Sequence, residues 1–102
     1  MRVLRRLELD IEVEELRTML RIRHERLDGE LKDLKEAFLK DISMCGVNTI
    51  PEGDALTRAC LRLYLRWQQN YNGEADRYKQ AYLETKTAMS LAAEYREGNH
   101  EE

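Results

Sequence analysis

The chain has 102 residues, 36% of them charged and 42% hydrophobic, with a formal net charge of -3. That length fits one domain with a single modest core and is too short for a core plus an elaborate enzymatic cleft. The excess of acid over base argues against a general nucleic-acid binder, whose affinity comes mostly from Lys and Arg near phosphates. One proline, one phenylalanine and few β-branched residues favour helices over sheets. The expected fold class is all-α: a compact bundle of about four helices, one short and three longer, with an extended N-terminal arm over residues 1–11, a helical core over 12–95 and a short flexible tail over 96–102.

Val3, Leu4, Leu7 and Leu9 stand among arginines in the arm, which carries no apolar run of signal-peptide type. The chain also lacks the roughly 20 consecutive apolar residues of a membrane span, so a protein made and used in a cytoplasm is expected. The first helix is predicted over Val13–Arg23, with Val13, Leu16, Met19 and Leu20 at helical spacing and Glu12, Glu14 and Glu15 near its positive N-terminal end. Such a short helix is marginal in water and has to dock on others.

The second helix is predicted over Asp28–Cys45, with Asp28 as its N-cap. Leu27, Leu31, Leu34, Phe38, Ile42 and Cys45 share one face, and Lys32, Asp33, Glu36, Lys40 and Asp41 the other. Gly46 falls where a left-handed residue ends a helix. The corner "MCGVNTIPEGDAL" then holds the only proline, Pro51, which stops the helix from running on, and Asp54, which restarts the chain as an N-cap. Val47 and Ile50 in this corner are expected to be at least partly buried by the fold or by a partner.

The third helix, Asp54–Gln69, carries a stripe of Leu56, Ala59, Cys60, Leu63 and Trp67, yet Leu61 and Leu65 project away from it. Only the sector of Arg58, Arg62 and Arg66 is polar. So wide an apolar arc means a helix that is central in its own domain or buried against another subunit. "NYNGEAD", Asn70–Asp76, is a tight turn, and the fourth helix, Glu74–Glu94, aligns Tyr78, Tyr82, Thr85, Met89 and Ala92. Leu83 and Leu91 lie off that face.

No pattern of catalytic type emerges. His24 and His100 have no ligand-type partner four residues on, and the five glycines are scattered rather than gathered in a phosphate loop. Cys45 and Cys60 lie outside any CxxC pattern and read as buried free thiols in a reducing compartment. No enzyme activity, cofactor or metal is expected. The arginine row reads either as a basic ridge for an acidic neighbour or phosphate, or as a solvated face, the second being favoured in a net-acidic chain. Tyr64, Trp67, Tyr78 and Tyr82 suit an interface and a core about equally.

Four segments in order, "VEELRTMLRI", "LDGELKDLKEAFLKDISMCGV", "GDALTRACLRLYLRW" and "GEADRYKQAY", resemble the head-tail connector family of tailed bacteriophages, also called head-completion or DNA-packaging adaptor proteins. The resemblance covers about Ile11–Tyr95 and rests on fold positions: Leu16, Leu20, Leu31, Gly46, Val47, Asp54, Leu56, Ala59, Tyr64, Tyr78 and Tyr82. Ala55 stands where the family often has a proline after the aspartate, and the arginine-rich arm is outside the family pattern.

The resemblance implies a non-enzymatic virion protein of the neck, assembled in the host bacterial cytoplasm. It would form a ring of identical subunits, twelvefold by the family pattern, on the portal protein. The ring would extend the DNA channel, let DNA pass without specific binding, and dock a tail-side stopper or tail-completion protein. Leu61, Leu65, Leu83 and Leu91 are then the expected flanks between neighbours, with Val47, Ile50, Arg58, Arg62 and Arg66 as further contacts. The alternative is a small helix-turn-helix-like DNA-binding regulator, in which Arg58, Arg62 and Arg66 would read the groove across a corner of about eight residues, longer than the usual three to four.

Overall fold

The computed structural model describes residues 7–96, which form four α-helices: α1 (Val13–Met19), α2 (Asp28–Met44), α3 (Ala55–Gln68) and α4 (Ala75–Leu91). Short 3₁₀ turns occupy Tyr71–Gly73 and Ala93–Tyr95. The described part of the arm, residues 7–12, has no regular structure and lies along α2, where Lys35 Nζ donates to the Leu9 carbonyl at 3.2 Å. The expected tail beyond Arg96 lies outside the described residues.

α1 ends four residues earlier than its apolar pattern predicts. Ile22 N–H donates to the Arg17 carbonyl at 2.9 Å and Arg21 N–H to the Thr18 carbonyl at 3.0 Å, a Schellman closure in which Arg21 takes the left-handed backbone (φ 59°). The expected capping role of Asp28 is also corrected. Leu27 occupies the cap position of α2 without a side-chain bond. Asp28 instead receives both arms of the Arg17 guanidinium, at 2.8 and 3.0 Å, which ties the end of α1 to the start of α2. That bidentate bond holds the carboxyl below the usual aspartate range.

α2 stops in the same way as α1, this time with a glycine. Gly46 has φ 109°, and Gly46 and Val47 donate back to Ser43 and Ile42, both at 3.1 Å. Val47, the residue just past the closure, is fully buried, as such closures favour, and Ile50 is half-buried against the core. Asp54 caps α3 by accepting from Thr57 N–H at 2.9 Å. The Asn70–Gly73 turn places Asn70, Asn72 and Gly73 at positive φ, the conformation its composition calls for.

α3 is the central element and touches all three other helices. Its neighbours explain its wide apolar arc, and they overturn the assignment of Leu61 and Leu65 to a subunit flank. Both are completely buried inside this chain, with Thr57, Cys60 and Tyr64. Leu56, read as a core position, is exposed at the start of the helix, and Leu63 and Trp67 pack on the core's edge. Phe38, Tyr64 and Tyr82 meet in tilted ring pairs 5.1–6.2 Å apart, with Trp67 edge-on to Tyr64 at 5.7 Å, so these aromatic side chains belong to the core. Cys60 is buried, whereas Cys45, at the C-terminal cap of α2 just past Met44, is exposed, contrary to its expected burial.

Candidate interaction surface

α1 runs beside α3 in the same direction. Arg58 pairs with Glu15 near the start of both helices, and Arg66 Nε donates to the Met19 carbonyl at 3.0 Å near the end of α1. The Arg66 guanidinium also lies over Tyr71, 4.5 Å from the ring centroid, a cation–π contact that fixes its plane. Arg62, one turn from each, is exposed. The expected solvated arginine face is therefore only partly correct: two of its three members are half-buried ties between helices.

The same two helices border a concavity of about 600 Å³. Arg58, Arg62 and Arg66 line one side and Arg21 and Arg23 the other, with Glu15 the single carboxylate among the lining residues. Arg21 and Arg23 belong to the stretch after α1 that sequence reading assigned to the helix end. The left-handed backbone of Arg21 costs about 1–2 kcal/mol for a residue with a Cβ, where glycine would sit without strain.

At the other end of the bundle, two carboxylates lock the core elements together. Asp54 Oδ2 accepts from the Thr57 hydroxyl at 2.6 Å and from the Tyr95 hydroxyl at 2.7 Å. Burial alone would raise this carboxyl, but these bonds and the cap outweigh it and hold it below the ordinary value. Asp41, near the end of α2, accepts from Tyr82 at 2.5 Å and from Lys86 at 2.9 Å, both on α4. There too the hydrogen bonds outweigh burial and keep the carboxyl low. Burial, reinforced by the carboxylate each one faces, raises the Tyr82 and Tyr95 phenols. These groups are satisfied internal ties. Among the described residues there is no His, Cys, Asp and Glu group of metal-holding geometry, and no helix long and apolar enough to cross a membrane.

Among the described residues three large apolar side chains are exposed: Met44 at 74%, Leu56 at 42% and Leu91 at 75%. All three lie at the end of the bundle where α2 and α4 finish and α3 begins. Of the expected contacts, Leu91 is thus available on the surface and Leu83 is half-buried against the core, while Val47, Leu61 and Leu65 are inside. Sequence reading passed over Met44 because helical spacing puts it on the charged face of α2, with Asp33, Lys40 and Asp41. It missed the role of Tyr95 because a lone tyrosine after the last helix carries no periodic signal. Comparison with known protein families, curated proteins and solved structures finds no match.

Proposed function

We propose that this chain is a structural subunit of the head-tail connector of a tailed bacteriophage. In this reading it forms a ring on the portal protein, continues the DNA channel and receives a tail-side stopper or tail-completion protein. The observation that carries the reading is the correspondence between the resemblance and the fold. Each of the four connector-like segments holds one helix, in order, and the joint between α2 and α3 falls at Gly46, Val47 and Asp54, the corner positions of the family pattern. With Leu61 and Leu65 inside the subunit, the contact surface in this proposal includes Met44, Leu56 and Leu91, the exposed apolar side chains at one end of the bundle, whose burial by a neighbour is favourable.

Mixing the purified protein with portal-bearing capsids and imaging the vertex in negative stain tests the proposal. An added ring is expected, and a Leu91→Asp substitution should prevent it without unfolding the subunit. A folded wild-type protein that never joins portal-bearing particles would refute the reading. The DNA-binding alternative has less support, because Arg58 and Arg66 are tied back onto α1 through Glu15 and Met19 and the corner before α3 is longer than the turn of a helix-turn-helix.

A further inference from the structure

We propose that the arginine-lined concavity between α1 and α3 docks an acidic helix of a partner protein, with carboxylates at every fourth position meeting the arginine row. This inference is independent of the connector reading and would hold for a subunit that forms no ring.

Three observations converge on it. The first is charge: five arginines surround the concavity against one carboxylate, Glu15, which Arg58 already engages. Arg21, Arg23 and Arg62 are exposed and make no ion pair with any described residue. In a chain of net charge -3, this is a local reversal of sign, and an acidic partner is drawn to it. The second is spacing. Arg58, Arg62 and Arg66 recur every four residues, so their attachment points advance by about 6 Å each, the period of carboxylates at i, i+4 and i+8 on a facing helix; Arg58 and Arg66 spend one guanidinium nitrogen each on Glu15 and Met19 and keep further N–H donors for such a partner.

The third is the side-chain type. Every cation on the lining is arginine, whose planar fork pairs bidentately with carboxylates where a lysine gives a point charge. The Arg58–Glu15 pair within the concavity is an intramolecular instance of that recognition. A nucleic-acid backbone is the less favoured occupant. Five arginines less the Glu15 charge would neutralise only about four phosphates, which gives weak binding at physiological salt, and the rest of the chain is net acidic.

The test uses the full-length protein and a fluorescently labelled helical peptide bearing glutamates at every fourth position. A control peptide has the same composition with the glutamates dispersed round the helix, and single-stranded and duplex DNA are run in parallel. Anisotropy titration is expected to show the ordered peptide binding about tenfold more tightly than the control, the loss of one well-made charged contact being of that order. Arg62→Glu should abolish the difference, while Lys40→Glu, an equal charge change on the far face of α2, should leave it intact. Raising salt from about 0.1 M to about 1 M shortens the screening length from about 10 Å to about 3 Å and should weaken the ordered peptide most. Equal binding of both peptides, an Arg62→Glu effect no larger than that of Lys40→Glu, no binding at all, or DNA bound in preference to the peptide would each overturn the proposal. Circular dichroism of each variant confirms that it is folded.

Discussion

Replacing Asp54 by alanine removes one side chain and three hydrogen bonds, from the Thr57 amide, the Thr57 hydroxyl and the Tyr95 hydroxyl. Loss of an N-cap alone costs about 1 kcal/mol. Thr57 is fully buried and Tyr95 is 1% exposed, so their hydroxyls lose a charged acceptor in places water does not readily reach. Each such orphan costs about 1–3 kcal/mol, and the lower end applies here, because the threonine hydroxyl can turn back to a backbone carbonyl within its own helix. The sum is about 3 kcal/mol, a large share of the roughly 5–15 kcal/mol that holds a domain together. For a domain of this size it corresponds to a fall in Tm of about 12–24 °C.

Urea unfolding followed by circular dichroism should show the midpoint falling with little change in slope. Tyr95→Phe should cost about 1–1.5 kcal/mol, because Asp54 keeps its two bonds from Thr57. The double variant should be less destabilised than the sum of the singles, since the Tyr95–Asp54 bond can be lost only once. If Asp54→Ala lies within about 0.5 kcal/mol of wild type, or if the two losses simply add, the bond does not act as described.

Four further outcomes follow from the same structure. Asp41 and Asp54 are both held below the ordinary aspartate value, so their contribution is fully present above the unfolded-state value of about 3.9. It is lost as pH falls through the lower folded values, and a urea midpoint measured across that range should drop more steeply in wild type than in Asp54→Asn. Leu65→Ala should destabilise by about 2–5 kcal/mol and Leu91→Ala by less than about 0.5 kcal/mol, by the same assay. Arg21→Gly should raise stability by about 0.5–1 kcal/mol, the relief of left-handed strain less the added freedom of the unfolded chain, while weakening the ordered acidic peptide. Burial pushes the Cys60 thiol up to about 12, so a maleimide should label the exposed Cys45 rapidly and Cys60 only on unfolding, as read by mass spectrometry.

Periodicity located all four helices because each has to bury an apolar stripe, and the stops at Gly46 and at Asn70–Gly73 were readable from residues that tolerate positive φ. Two features escaped it. α3 has neighbours on three sides, and a projection of its own sequence could show that the apolar arc was wide without showing that the chain itself filled it; Leu61 and Leu65 looked like surplus for that reason. Thr57 is buried because Asp54 takes its hydroxyl, so its polarity concealed a core position. The arginine-lined concavity was half legible. The four-residue row on α3 stood out, but Arg21 and Arg23 joined it only through the early closure of α1, where arginine occupies a position that sequence rules reserve for glycine.

The tie between Tyr95 and the α2–α3 corner has a further consequence for truncation of the chain. The Tyr95 carbonyl accepts from the amides of Asn48 and Thr49, at 2.8 and 3.3 Å, while its hydroxyl reaches Asp54. The corner over Val47 is thus held at both ends by a residue 41 positions from Asp54. A chain cut short just before Tyr95 would lose all three bonds at once, leaving the corner over Val47 unfastened at the end of the bundle where α2 and α4 finish.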